Sequence, residues 1–282
     1  MANAPLLTRD KLFEIARTLP PAPRVLAELS HLIEDINVDL AEVAALIKRD
    51  AALTARIMRI SNSVFYGNAR TGAIEEAVNR VGLSEVHRLV GLVATNRLAD
   101  RPLTYYGVSA EALREHMLYT ALANEALAEL TEIDARNAYT AGLMRTLGIL
   151  VLDRLAERIP GFQPYDHAIQ GSYPNWEGRI FGLTNCDVAA LIFADWRFPP
   201  VITSSVRDHY LLHEEDLRNR EASLLNLACR LVAVAGFGLP GEHRYWELSL
   251  RKLDAAQLTE SQVEFAAERA AQRFDRLRAS LH

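Results

Sequence analysis

The chain has 282 residues, enough for a large hydrophobic core; 50% of them are hydrophobic and 24% are charged. The formal net charge of −5 argues against nucleic acid as a partner, because binding to the phosphate backbone needs a basic surface. No apolar stretch is long enough to span a bilayer, and the first residues lack a signal-peptide pattern. Cys186 and Cys229 lie in no metal-site spacing, so we expect both to be buried and reduced. These features predict a cytoplasmic protein with no membrane contact.

Helical periodicity dominates the chain, and we therefore predict an all-α fold. The first helix is expected to begin at Thr8 and to end at the prolines of LPPAP, residues 19–23. Asp39 and Glu42 form a capping pair at the start of a later helix. The remaining helices of this half are predicted at 25–35, 37–50, 51–67, 71–82 and 84–100.

A proline- and glycine-containing linker, residues 101–109, separates this half from a second helical set, with Ser109 as an N-cap. Residues 158–175 form a turn-rich connection, and Thr259 with Gln262 caps a last helix. We therefore predict two helical lobes, residues 1–100 and 101–282, packed on each other. The main helices of the second lobe are predicted at 110–130, 136–157, 176–195, 199–212 and 219–236.

Four segments of the sequence resemble one family, in its order and spacing. They are LPPAPRVLAEL (19–29), IKRDAALTARIMRISNSVFYG (47–67), GAIEEAVNRVGLSEVHRLV (72–90) and a block at 177–210 with a tryptophan-x-x-proline ending. The most specific piece is Asn62-Ser63 followed by an aromatic residue and Gly67. Over about residues 12–215 the chain resembles the HDOD family, the "HD-related output domain" of bacterial signalling proteins.

The resemblance implies a second lobe related to the HD superfamily of metal-dependent phosphohydrolases, whose histidine and aspartate ligands hold a metal that activates water. His116 stands where the first histidine of that superfamily would lie. The His-Asp dyad is replaced by Arg145 and Thr146. His209 is retained, but Tyr210 follows where a second histidine is common. Because an arginine side chain offers only donors, we expect no metal, no cofactor and no catalytic residue in this degenerate lobe.

Two alternatives follow for Arg145. Its guanidinium could replace the metal charge and bind an acidic ligand, or it could form a structural ion pair with an acidic residue of the chain. Asn185 stands where the family often has a histidine, and beside Thr184 it could also mark a helix start. The hypothetical anion site consists of His116, Arg145, Thr146, Asn185 and His209.

A second hypothetical site lies in the first lobe. Arg59, Asn62 and Ser63 could contact a partner or join the two lobes. The alternative is that Asn62 and Ser63 end an apolar helix, where short polar side chains satisfy free backbone groups.

The resemblance favours a non-enzymatic signalling module that binds other proteins or a small ligand. We expect an unidentified signalling protein as its partner, with a small anionic ligand as a further possibility. Two alternatives stay open: a receptor for a cyclic dinucleotide or other anion without turnover, and a residual metal-dependent phosphohydrolase. The chain could be a stand-alone protein or the output part of a longer response regulator.

Overall fold

The computed structural model describes residues 9–20, 22–33, 35, 37–62 and 71–279. These residues are mainly helical and include no β-strand, only an isolated bridge between Leu103 and Val108. The all-α prediction is confirmed. The helices of the first half are α1 (Arg9–Thr18), α2 (Ala22–Leu32), α3 (Leu40–Lys48), α4 (Ala51–Ser61), α5 (Ile74–Val81) and α6 (Leu83–Leu98).

The second half begins with the long helix α7 and ends with the long helix α16. Short 3₁₀ helices occur at Glu214–Arg218 and His243–Tyr245. The α-helices of this half are α7 (Ala110–Ala128), α8 (Ala135–Met144), α9 (Leu147–Ala156), α10 (His167–Gln170), α11 (Tyr173–Phe181), α12 (Asn185–Asp195), α13 (Pro200–Asp208), α14 (Arg220–Val234), α15 (Leu250–Ala256) and α16 (Glu260–Ala279).

Several predicted helix starts agree with the structure. The side chain of Asp39 accepts a hydrogen bond from the backbone of Ala41, and that of Ser109 accepts one from Ala112. Gln262 donates its backbone N–H to the Thr259 hydroxyl, as a capping pair should. The predicted start of the first helix at Thr8 lies outside the described residues.

Two predicted helices are each divided in two. The helix expected at 136–157 breaks at Arg145 and Thr146, between α8 and α9. The helix expected at 176–195 breaks between α11 and α12, where Gly182 adopts a left-handed φ of 74°. Thr184 then caps α12 in a reciprocal pair with Asp187. Periodicity missed both breaks, because apolar residues occur close to each interruption on both sides of it.

Helix α7 lies at the centre of the second half. It packs against α8, α14 and α16, and most of its side chains are buried on all sides. The first helix, α1, packs against α9 and α12 of the second half. The apolar side chains of both halves form one continuous core.

A buried polar cluster joins the two halves. The Nε2 atom of His87 lies 3.0 Å from the Thr140 hydroxyl and 3.4 Å from the Ser30 hydroxyl. Nearby, Arg136 donates a 2.7 Å hydrogen bond to the carbonyl of Ile33. Side chains of α2 and α6 therefore connect directly to α8, the helix that ends at Arg145.

Two glycines allow α8 and α9 to approach their neighbours closely. A Cβ atom on Gly142 would lie 2.7 Å from the carbonyl oxygen of Thr120 in α7. A Cβ atom on Gly148 would lie 1.8 Å from the carbonyl oxygen of Asn185 in α12. Because no side chain fits at either contact, these glycines fix the positions of α8 and α9.

Candidate functional site

Arg145 is fully buried and forms a two-pronged ion pair with Glu242, which is equally buried. One guanidinium nitrogen, Nη1, lies 3.1 Å from Oε1, and Nη2 contacts Oε2. The guanidinium carbon also lies 5.5 Å from the centroid of the Trp246 ring. Of the two alternatives for Arg145, the structure contains the ion pair.

Glu242 is held in place by its surroundings. Tyr210 donates its hydroxyl to Oε1 of Glu242 over 2.5 Å. The preceding residue, Gly241, accepts a 3.0 Å hydrogen bond from the backbone of Tyr173. A Cβ atom on Gly241 would lie 2.1 Å from the Tyr173 ring, so a glycine is needed here. The segment that carries Glu242 is therefore packed tightly against α11.

His116 and His209 are buried beside Arg145. The Nδ1 atom of His116 lies 2.7 Å from the carbonyl of Phe237, and Nδ1 of His209 lies 2.7 Å from the carbonyl of Val206. Burial and the Arg145 charge lower the pKa of His116 to about 3 and hold the pKa of His209 well below its usual value. Both imidazoles are therefore neutral at physiological pH.

Asn185 is the first residue of α12 and belongs to a buried hydrogen-bond network. Its backbone N–H and its side-chain amide donate to Oε2 of Glu177 over 2.7 and 2.8 Å. The Tyr106 hydroxyl donates to the other oxygen of Glu177 over 2.8 Å. Burial raises the pKa of Glu177 to about 7, although these three donors favour its charged form.

The network continues from Asn185 to the ion pair. The Asn185 amide donates to the Tyr210 hydroxyl over 3.3 Å, and this hydroxyl donates onward to Glu242. Thr146 is buried between α8 and α9, and its side chain makes no capping hydrogen bond. The structure thus brings Asn185 and Arg145 together through Tyr210 and Glu242, with His116 and His209 close to Arg145.

In the second hypothetical site, Asn62 binds the backbone of the same half of the chain. Asn62 accepts a 2.7 Å hydrogen bond from the backbone of Thr71 and donates a 3.0 Å bond to the Thr71 carbonyl. Both bonds stay within the first half of the chain, as expected from the alternative in which Asn62 satisfies backbone groups. Arg59 is exposed. Ser63 lies outside the described residues.

The residues that complete the buried centre were not predicted from the sequence. Glu242 and Trp246 follow the last segment that resembles the family, and Glu177 carries no spacing signal. The only available signal was indirect: an arginine inside an apolar helix requires an acidic partner. Which of the 36 acidic residues supplies it could not be read from the chain.

The donor set does not fit the metal that the HD superfamily uses. Across the described residues, no three or more histidine, cysteine, aspartate or glutamate side chains are placed to hold a metal ion. Arg145, which the resemblance places at the position of the dyad, is a cation and cannot be a ligand. Likewise, none of the helices in the described part of the chain combines the length and apolar character needed to cross a bilayer.

Comparison with known proteins agrees with the resemblance. A profile of the HDOD domain matches residues 19–212, more than half of the chain. The chain belongs to the HDOD family. An uncharacterized protein of Treponema pallidum (strain Nichols) is 27% identical over 198 residues, which is 69% of this HDOD chain. The match spans only 38% of the length of that relative.

Solved structures share the fold of this HDOD chain. An HDOD domain protein from Geobacter sulfurreducens superposes with a TM-score of 0.65 at 19% identity, covering 94% of this chain and 95% of that one. A candidate signal transduction protein from Marinobacter aquaeolei VT8 superposes with a TM-score of 0.66 at 21% identity, covering 96% of this chain and 64% of that one. A candidate phosphohydrolase from Shewanella amazonensis SB2B gives 0.59 at 20% identity, covering 93% of each chain.

Proposed function

We propose that this HDOD chain is a non-enzymatic regulatory module of bacterial signal transduction that acts by binding other proteins. The observation that carries the proposal is the buried pair of Arg145 and Glu242. In HD enzymes the equivalent position supplies two metal ligands, whereas here it supplies a fixed cation whose charge an internal carboxylate compensates.

The same pair argues against a small anionic ligand at this centre. The carboxylate of Glu242 already accepts one N–H from each terminal guanidinium nitrogen and offsets the positive charge that would attract a phosphate or an external carboxylate. The neighbouring imidazoles of His116 and His209 are neutral and add no positive charge. An external anion would have to compete for Arg145 with the adjacent Glu242 carboxylate, which the Tyr210 hydroxyl also holds.

Metal content and turnover test the proposal. We expect purified protein to contain Fe, Mn and Zn only far below one ion per chain, and to show no phosphodiesterase activity on bis(p-nitrophenyl) phosphate or a cyclic dinucleotide. A stoichiometric metal together with turnover would instead establish a residual phosphohydrolase.

Thermal shift separates the proposed module from an anion receptor. We expect neither inorganic phosphate nor a cyclic dinucleotide to raise the melting temperature, because a ligand stabilises a protein only when it binds the folded state. The matched control is the double variant Arg145→Met/Glu242→Leu, which removes both charges. A concentration-dependent shift in the wild type that is lost in this variant would favour the receptor.

Capture of partners from bacterial lysate tests whether the exposed surface around Arg59 binds another protein. Arg59 is exposed on α4, within a segment that resembles the family. We expect Arg59→Glu to reduce capture of a specific protein that the wild type binds. The control is Arg276→Glu, at another exposed arginine, on α16. Equal loss of capture in both variants would indicate a non-specific charge effect. Unchanged capture in both variants would exclude the region around Arg59 as the contact surface.

A further inference from the structure

Three buried nitrogen atoms around Arg145 have no hydrogen-bond partner among the protein groups that the structure describes. They are Nε2 of His116, Nε2 of His209 and Nε of Arg145. The three side chains are 1%, 0% and 0% exposed. A buried polar atom without a partner destabilises the folded state, so three of them in one centre need an explanation.

The hydrogen-bonding character of each atom follows from the other bonds of the same side chain. A carbonyl oxygen only accepts, so Nδ1 of His116 carries the proton that it donates to Phe237, and Nδ1 of His209 carries the one donated to Val206. In each neutral ring Nε2 is then an acceptor with a free lone pair. The Nε–H of Arg145 is a donor. The three unpaired nitrogens are therefore two acceptors and one donor.

One stretch of chain, residues 237–246, touches all three side chains. The Phe237 carbonyl accepts from His116, and Glu242 binds Arg145. The Trp246 ring stacks on the His209 ring at 5.8 Å between centroids and lies against the Arg145 guanidinium. The three unpaired nitrogens thus belong to side chains gathered around one segment.

We infer that a buried water molecule is a fixed part of this centre, donating its two hydrogens to Nε2 of His116 and of His209 and accepting the Nε–H of Arg145. Three hydrogen bonds are the usual number for a buried water in a protein. A metal cation would meet the Arg145 guanidinium, and an anion would meet two imidazole lone pairs. A small neutral molecule that both donates and accepts satisfies all three atoms.

A high-resolution crystal structure of the wild type tests the inference directly, using untreated crystals and crystals soaked in Zn²⁺ or in bromide. We expect one peak of oxygen size within about 2.7–3.2 Å of the three nitrogens, with no anomalous signal in either soak. An empty position would overturn the inference, as would an anomalous zinc or bromide peak. An empty position would leave the proposed function unaffected. Stoichiometric metal in the purified protein would contradict both the buried water and the proposed function.

Nitrogen-15 NMR of the wild type gives a second readout that needs no variant. We expect His116 and His209 to be protonated at Nδ1 only, and the nitrogen-15 chemical shift of each Nε2 to be that of a hydrogen-bond acceptor. Their ring protons should show cross-peaks to a long-lived water. The matched variant His209→Asn keeps a donor near the place of Nδ1 and removes Nε2. It should weaken the water cross-peak of His116; unchanged cross-peaks would contradict a shared water.

Discussion

Arg145 and Glu242 are 97 positions apart in the chain and meet as a fully buried, two-pronged ion pair. Arg145 is the C-cap that follows α8, while Glu242 lies in the segment between α14 and α15. The pair therefore ties the segment between α14 and α15 to the junction of α8 and α9. Its energetic and structural consequences can be measured.

The first prediction concerns the ion pair. Arg145→Met should lower the free energy of unfolding by about 3–5 kcal/mol, because it leaves the Glu242 carboxylate buried without its counter-charge. Arg145→Met/Glu242→Leu should be clearly more stable than Arg145→Met alone, since no unpaired charge remains. Urea unfolding of the wild type, both single variants and the double variant measures the coupling. Additive effects would show that the two charges do not depend on each other.

The second prediction concerns the first half of the chain. Asn62→Ala removes both hydrogen bonds to the backbone of Thr71, a buried residue, and should cost about 1–3 kcal/mol. Arg59→Ala, at an exposed position three residues earlier, should change stability by less than about 0.5 kcal/mol. Thermal and urea unfolding of both variants provide the comparison. A neutral Asn62→Ala would mean that these two bonds contribute nothing to the fold.

The third prediction concerns acid sensitivity. Burial lowers the pKa of His87 from 6.5 to about 3, so below pH 6.5 the unfolded chain binds a proton that the folded chain does not. Stability should therefore fall as the pH decreases from about 6.5 towards about 3. His87→Gln should reduce that slope by about 1.4 kcal/mol per pH unit, the effect of one proton.

Urea unfolding at pH 7.5, 5.5 and 4.5 checks this expectation. The wild-type curve alone is not decisive, because His116 and His209, whose pKa values burial also lowers, act in the same direction and Glu177 acts in the opposite direction. Its pKa of about 7 in the folded protein makes stability fall as the pH rises from about 4.5 to about 7. The matched control is His167→Gln, an exposed histidine on α10. Equal slopes for His87→Gln and the wild type would refute the prediction.

The fourth prediction concerns helix packing. Gly148→Ala would place a Cβ atom 1.8 Å from the backbone oxygen of Asn185, so α9 and α12 would have to separate. We expect a loss of about 3 kcal/mol or more, at the upper end of overpacking effects. Gly178→Ala in α11 meets no atom within 4 Å and should stabilise the protein by about 0.4–1 kcal/mol. Similar melting temperatures for the two variants would show that the close contact at Gly148 is not required.

The sequence by itself determined the helical fold and its principal caps. These properties depend on local information: the 3.6-residue period and capping side chains such as Asp39 and Ser109. That Arg145 and Thr146 stand where a His-Asp dyad would lie was implied by the family resemblance. The breaks inside 136–157 and 176–195 were missed, because apolar residues continue on both sides of these two- and three-residue interruptions.

Only the tertiary structure decided what Arg145 does. A buried cation requires a counter-charge, but that requirement does not say which acidic residue supplies it. Glu242 reaches Arg145 because Gly241 fits against the Tyr173 ring and Tyr210 holds the carboxylate. Such a contact depends on how distant segments pack in three dimensions, which no local pattern around Arg145 or Glu242 encodes.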